Sequence, residues 1–294
     1  MGLTHPVYAI AIVGGLFIAS TTHAGPKDFE RNMDVAPPTF IGGGGQNKAP
    51  KESRSTAATP APAEHTEQAV DQSQLHWNYD NPAEWGELDA KYKLCKDGKR
   101  QSPIDISDTT YANLDSISFN YRSGPKEIIN NGHTIQVNMH SGSYITVSGK
   151  RYNLLQFHFH APSEHTINGK PADMVAHFVH QASDGQLGVV AVLMERCKQN
   201  DLVEQLWKKL PKRNGDKNNL SKRINVKDLI PDNRDYYNYS GSLTTPPCSE
   251  GVNWMVLKRP MEISADQIKA FTDLFPKSVR PIQEKFHRPV RSKN

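Results

Sequence analysis

The chain's 294 residues carry a formal net charge of +4, from 35 Lys and Arg against 31 Asp and Glu. That length admits one large domain or two smaller ones. The charges are spread along the sequence, which argues against a nucleic-acid partner, because such a footprint concentrates Lys and Arg on one face. At the start, Val7 to Ser20 is a nearly unbroken apolar run that leads into Thr22-His23-Ala24. This is the pattern of a secretory signal over residues 1–24, cleaved after Ala24, although its first segment holds His5 and no Lys or Arg. The run falls short of the roughly 20 apolar residues a membrane span needs. Export to the periplasm or the medium, with no stable membrane anchor after cleavage, is expected.

Residues 25–74 contain GGGG at 42–45, a Pro/Ala/Thr-rich stretch and few large apolar side chains. Such a segment cannot bury enough surface to offset the entropy of ordering, and it reads as a flexible linker. From residue 75 to 294 the texture changes. Short β-type runs appear at Ser116–Tyr121, Thr134–Met139, Tyr144–Val147, Leu154–His160, Val175–His180 and Val189–Glu195, punctuated by glycines. Helical spacing marks Leu202–Leu210 and Ser264–Leu274, the second with a Ser N-cap and Gln267 three residues on. The expected architecture is one mainly β domain with a few helices around a central sheet. In an exported chain, Cys95, Cys197 and Cys248 predict one disulfide and one odd thiol, and their spacing does not choose the pair.

Histidines crowd the stretch QFHFHAPSEHTINGKPADMVAHFVH at 156–180. In a strand, Gln156, His158 and His160 share one face while Phe157 and Phe159 share the other. Side chains at i and i+2 stand roughly 6.6 Å apart, within reach of one metal ion. After a turn-rich stretch, Val175–His180 reads as a second strand pairing antiparallel with the first. His177 shares its face with Val175 and Val179, whereas His180 falls on the side of Phe178. His158, His160 and His177 are therefore the candidate ligands. Three imidazoles without a fourth protein ligand make an open zinc site of the catalytic kind, since structural sites are closed by a fourth Cys or His.

Other segments join this pattern in order along 75–291: His76-Trp77-Asn78-Tyr79 with Trp85, Gln101–Ile106 (QSPIDI), Asn130–His133 (NNGH), Ser163-Glu164-His165 and Ser242–Pro247 (SLTTPP). Together they resemble the α-class carbonic anhydrases of the bacterial, exported type. The resemblance implies a mainly β fold, a single domain on a large, twisted, mostly antiparallel sheet with short peripheral helices. It implies the zinc-dependent, reversible hydration of CO2 to bicarbonate and a proton, by attack of a zinc-bound hydroxide and histidine-assisted proton transfer. Weak ester hydrolysis is an expected side activity.

By the same resemblance Zn2+ is the cofactor and His158, His160 and His177 its ligands. Thr244 accepts a hydrogen bond from the hydroxide and donates one to Glu164, and Thr245 positions bicarbonate. Val179, Val189, Leu243 and Trp254 form the apolar wall beside CO2. His133 carries the proton away, as a group of pKa near 6.5 can, while Tyr79, Asn131 and Gln136 order the intervening water. Gln156 accepts a hydrogen bond from His158. Cys95 and Cys248 match the disulfide of exported members, tethering the Thr244 loop and leaving Cys197 as the free thiol.

One departure stands out. The position two before His177 is commonly Glu in the family and is Val175 here, so the usual acceptor for that ligand is missing. Zinc retention roughly 10- to 100-fold looser is expected if nothing compensates. The alternative reading is an exported, zinc-binding but non-catalytic module on the same fold. Partners are otherwise limited to the small-molecule substrate, with the oligomeric state left open, a dimer included.

Overall fold

The structure is a computed structural model that describes residues 77–122 and 124–293. The signal over 1–24, the linker over 25–74 and the start of the domain at 75 lie outside the described residues. Seven strands position the site: β1 (Pro125–Asn130), β2 (Ile135–Met139), β3 (Lys150–His160), β4 (Met174–Ala182), β5 (Leu187–Arg196), β6 (Tyr236–Ser242) and β7 (Glu250–Leu257). Among the described residues they belong to one 13-stranded sheet in which they run β1-β2-β3-β4-β5-β7-β6, with short strands at Lys217–Asn219 beyond β1 and at Arg291–Ser292 and Thr110–Tyr111 beyond β6. Pairing is antiparallel across β1 to β5 and between β6 and β7. The β5–β7 contact is parallel and sets Val189 opposite Trp254.

Alternation along the central strands divides the core. Phe157, Phe159 and Phe178 point to one face, each 0 % exposed, and Phe157 stacks on Phe178 at 4.9 Å between ring centroids. Full burial of such a side chain contributes about 1.5–3 kcal/mol. Two helices cover this face. The first, α1, spans Asp201–Trp207 and the second, α2, spans Ala265–Thr272. Trp207 sits against Phe159 at 5.1 Å. Asn200 caps α1 by accepting from Leu202 N and Val203 N, and Ser264 with Gln267 forms a capping box on α2. Gln267 also exchanges hydrogen bonds with the Asn200 backbone at 2.8 and 2.9 Å, so the two helix starts lock to each other. Both helices are shorter than the sequence spacing suggested. The 208–210 stretch turns away from α1 through bonds from Lys209 N to Leu206 O and from Leu210 N to Trp207 O.

The opposite face holds a second apolar cluster, in which Val175, Val179, Val189 and Trp254 are buried with Leu243 packed against them. His180 leaves that face, as its strand position requires. Its Nε2 meets Tyr121 Oη at 2.8 Å and its ring stacks near Tyr121 in the first core.

Candidate metal centre

Register brings the histidines together. β3 and β4 pair with His158 opposite His177, and β2 sets Gln136 opposite His158. The candidate ligand atoms of His158, His160 and His177 lie within 4.8 Å of one another. Their rings meet edge to face or tilted, with centroids 4.9 to 5.4 Å apart.

The remaining ring nitrogens decide how each imidazole is aimed. His158 Nδ1 is 2.9 Å from Gln156 Oε1. An amide oxygen only accepts, so Nδ1 carries the proton and the Nε2 lone pair faces the centre. His160 Nδ1 donates to Ser278 O at 2.5 Å, leaving a buried Nε2 without a partner. His177 turns its Nδ1 toward Glu164 Oε2, at 3.8 Å, and its Nε2 is buried with no partner. Val175, 0 % exposed and two residues earlier on the same strand face, offers no acceptor. A second orphan lies close by: His165 Nε2 meets Tyr239 Oη at 2.6 Å, but His165 Nδ1 has no partner.

Burial, and secondarily repulsion from His160, holds His158 and His177 well below the ordinary imidazole pKa. Burial likewise takes His165 down to about 3. His158 and His177 are thus neutral donors at physiological pH. An orphaned, inward-facing nitrogen on His160, three converging imidazoles and no fourth protein ligand among the described residues fit an open zinc site.

Glu164 sits against this cluster. Its Oε1 accepts from Arg280 N at 3.0 Å, and Oε2 lies 3.6 Å from His160 Nε2. The hydrogen bond expected from Thr244 is not made. Glu164 Oε2 is buried without a hydrogen-bond partner and faces the His160 and His177 nitrogens instead. Thr244 is itself buried on the loop after β6. That loop is anchored by a reciprocal pair, Ser102 N to Ser242 Oγ and Ser242 N to Ser102 Oγ, and by Trp254 Nε1 donating to Ser242 O. Gly241 permits the close approach, because a Cβ there would fall 2.2 Å from Ser102 Oγ. Val179, Val189 and Trp254 are each 2 % exposed beside the histidines. Thr245 lines a cavity with Leu243, Pro246 and Pro247.

His133 occupies a turn in which Asn131 Oδ1 accepts from His133 N at 3.0 Å and Thr134 N at 2.9 Å. Gly132 supplies the positive φ of 86° the turn needs. The His133 ring is stacked on Trp77 with centroids 3.6 Å apart, and it is largely buried rather than solvent-facing. Gln136 Oε1 accepts from Asn131 Nδ2 at 3.4 Å. The Tyr79 hydroxyl is buried without a partner, and burial, reinforced by the Glu164 charge, raises its pKa well above the ordinary value.

Sequence reasoning did not single out Ser278, Arg280 or Tyr239. Ser278 and Arg280 serve the site through a backbone oxygen and a backbone nitrogen, for which residue type carries no signal. Cys95 and Cys248 are bridged, with sulfurs 2.07 Å apart, and Cys197 is free and exposed.

The family model for eukaryotic-type carbonic anhydrase matches residues 80–294. A carbonic anhydrase of Pectobacterium carotovorum is 41% identical over 213 residues, covering 71% of this chain and 87% of the relative. One from Neisseria gonorrhoeae is 41% identical over 223 residues, covering 74% and 85%. Among solved structures, the α-carbonic anhydrase of Thermovibrio ammonificans bound to the inhibitor sulfanilamide is 47% identical, with a TM-score of 0.72 over 74% of this chain and 99% of that one.

Proposed function

The chain belongs to the α-carbonic anhydrase family, whose reaction is the reversible hydration of CO2, and we propose that it runs this reaction at a zinc ion held by His158, His160 and His177. The observation that carries the reading is the convergence of three imidazoles, those of His160 and His177 buried, with Glu164 beside two of them. Zinc in such a site supplies the Lewis acidity that makes water a nucleophile near neutral pH, chemistry for which carbonic anhydrases are themselves the reference example.

Gln156 and Ser278 O fix the rings of His158 and His160 by accepting their Nδ1 protons. Glu164, held at Oε1 by Arg280 N, keeps Oε2 as the acceptor into which the Thr244 hydroxyl donates once substrate is engaged. With its proton committed there, Thr244 Oγ1 can only accept from the nucleophile, which orients the attacking lone pair. Val179, Val189, Leu243 and Trp254 exclude water from the side where an apolar CO2 rests. Thr245 binds the bicarbonate product. His133 receives the released proton on its imidazole and passes it to buffer, and Asn131, Gln136 and Tyr79 order the water between. The Cys95–Cys248 bridge supports an exported protein working in an oxidising compartment.

Stopped-flow hydration of CO2 followed with a pH indicator tests the reading. Fast hydration that a zinc chelator abolishes and added zinc restores is expected. A folded, zinc-loaded protein that does not hydrate CO2 would leave the non-catalytic binding module as the better account.

A further inference from the structure

The segment 278–280 belongs to no strand or helix, yet two groups at the centre of the site depend on it. Ser278 O accepts from His160 Nδ1 at 2.5 Å, and Ser278 Oγ accepts from Ala161 N at 3.2 Å. Arg280 N donates to Glu164 Oε1 at 3.0 Å. The strap therefore aims one metal ligand and one carboxylate, with no sheet ladder to hold it.

The Arg280 guanidinium holds it instead. Nη1 donates to Gln101 Oε1 and to Ser102 O, and Nη2 donates to Cys95 O, all at 2.8 Å. The guanidinium carbon lies 5.8 Å from the centre of the Trp85 ring. Gln101 Nε2 in turn donates to Cys248 O at 3.1 Å and to Glu250 Oε1 at 3.0 Å. Arg280 thus meets both ends of the Cys95–Cys248 bridge, one directly and one through Gln101. Arg280 is 3 % exposed, and among the described residues no carboxylate forms an ion pair with its guanidinium. Its direct partners are neutral oxygens and the Glu164 charge acts on it only at longer range, so burying this cation is costly. A stabilising role by itself does not account for it, because an apolar side chain would fill the space at lower cost.

We propose that Arg280 is a positioning residue that couples the Cys95–Cys248 bridge to His160 and Glu164, so that metal retention depends on the bridge being intact. The proposal rests on the reading of the three histidines as a metal centre. Cutting the bridge frees Cys95 O and Cys248 O from their fixed separation. Of the three oxygens that fix the guanidinium, Cys95 O is then released directly and Gln101 Oε1 is loosened through its anchor on Cys248 O, so the strap presents Ser278 O to His160 less firmly. A lysine at 280 carries the charge but cannot span three oxygens with a rigid fork.

A double-mutant cycle on zinc affinity tests this, with four proteins titrated against a chromophoric chelator: wild type, Arg280→Lys, Cys95→Ser with Cys248→Ser, and the combination. Each single perturbation is expected to weaken zinc about 10-fold, the lower end for groups that orient ligands. The combination is expected to be hardly weaker than Arg280→Lys alone. Independent effects, with the combination weaker by the product of the two factors, overturn the coupling, as do unchanged affinities.

The visible absorption of the Co2+-loaded proteins gives a readout that general destabilisation does not move. Arg280→Lys and the bridge-free protein are expected to shift it in the same way, and spectra identical to wild type count against the proposal. Should the combined variant not fold, oxidised and reduced forms of wild type and Arg280→Lys complete the same cycle. A wild type that takes no zinc overturns the metal centre and the coupling together. A zinc-loaded wild type that fails to hydrate CO2 sinks only the catalytic reading, since the cycle does not use turnover.

Discussion

Val175→Glu is the substitution on which the support of His177 turns. Position 175 faces the same side of β4 as His177 and packs in the cluster that holds Trp254. The Trp254 ring lies 5.0 Å from His177 and 4.7 Å from His165, the two residues with orphaned nitrogens. A carboxylate at 175 is expected to offer an oxygen to His177 Nε2–H and a second to His165 Nδ1–H, with His165 Nε2 then accepting from Tyr239 Oη. Each buried polar group left unpaired costs about 1–3 kcal/mol, so the wild type carries two such costs.

The substitution also loses a buried valine, about 1.5–3 kcal/mol, and buries a charge that only a bound cation offsets. The two effects separate by state. The metal-free variant is expected to melt below the metal-free wild type, while its zinc affinity rises by roughly 10- to 100-fold. Competition titration with a chelator, alongside thermal melts with and without zinc, measures both. Val175→Gln supplies a neutral acceptor, and its expected gain is smaller because it does not raise the basicity of His177 as a carboxylate does. Equal zinc affinities for wild type and Val175→Glu would refute the reasoning, showing that the orphaned Nε2 does not limit retention.

Three further outcomes follow from the geometry. His133→Ala is expected to lower kcat about 100-fold while sparing kcat/KM, with imidazole buffer restoring turnover; loss of both constants in parallel would remove His133 from the proton path. Thr244→Ala is expected to lower kcat/KM for hydration by about 100-fold while leaving zinc affinity near wild type, and a variant that hydrates CO2 normally would show that Glu164 Oε2 needs no hydroxyl partner. His180 governs acid stability: burial lowers it from 6.5 to about 4, against the opposing hydrogen bonds to Gly188 O and the Phe178 backbone. The unfolded chain therefore binds this proton first, and the stability His180 contributes is complete above about pH 6.5 and lost as pH falls toward 4. The shift corresponds to roughly 3 kcal/mol. Urea denaturation of wild type should weaken more steeply over that interval than that of His180→Gln, and parallel curves would exclude it.

The metal ligands were legible because their chemistry and their spacing coincide. A period of two puts His158 and His160 on one face with Gln156, and the same period sends His180 to the other core. The register that closes the triad, His177 opposite His158, is set by the antiparallel pairing of β3 with β4 across the connection over 161–173, which holds two short strands of its own. β1, β6 and β7 left weaker traces. Tyr236–Ser242 reads Tyr-Tyr-Asn-Tyr-Ser-Gly-Ser, in which the Asn and Gly suggest a loop, and it becomes a strand because β7 and Arg291–Ser292 pair with its two edges. The support of the site was illegible for a different reason. His160 is aimed by a carbonyl 118 residues away and Glu164 by an amide 116 away, and every residue but proline carries both groups. Only the side chain that fixes this strap, Arg280, has an identity the task requires, and its partners are again mostly backbone oxygens. Val175 stands between the two cases. Its departure was visible in the sequence, but only the structure shows a second unpaired nitrogen, His165 Nδ1, on a ring 6.1 Å from that of His177, which is why a single substitution at 175 is expected to act on both.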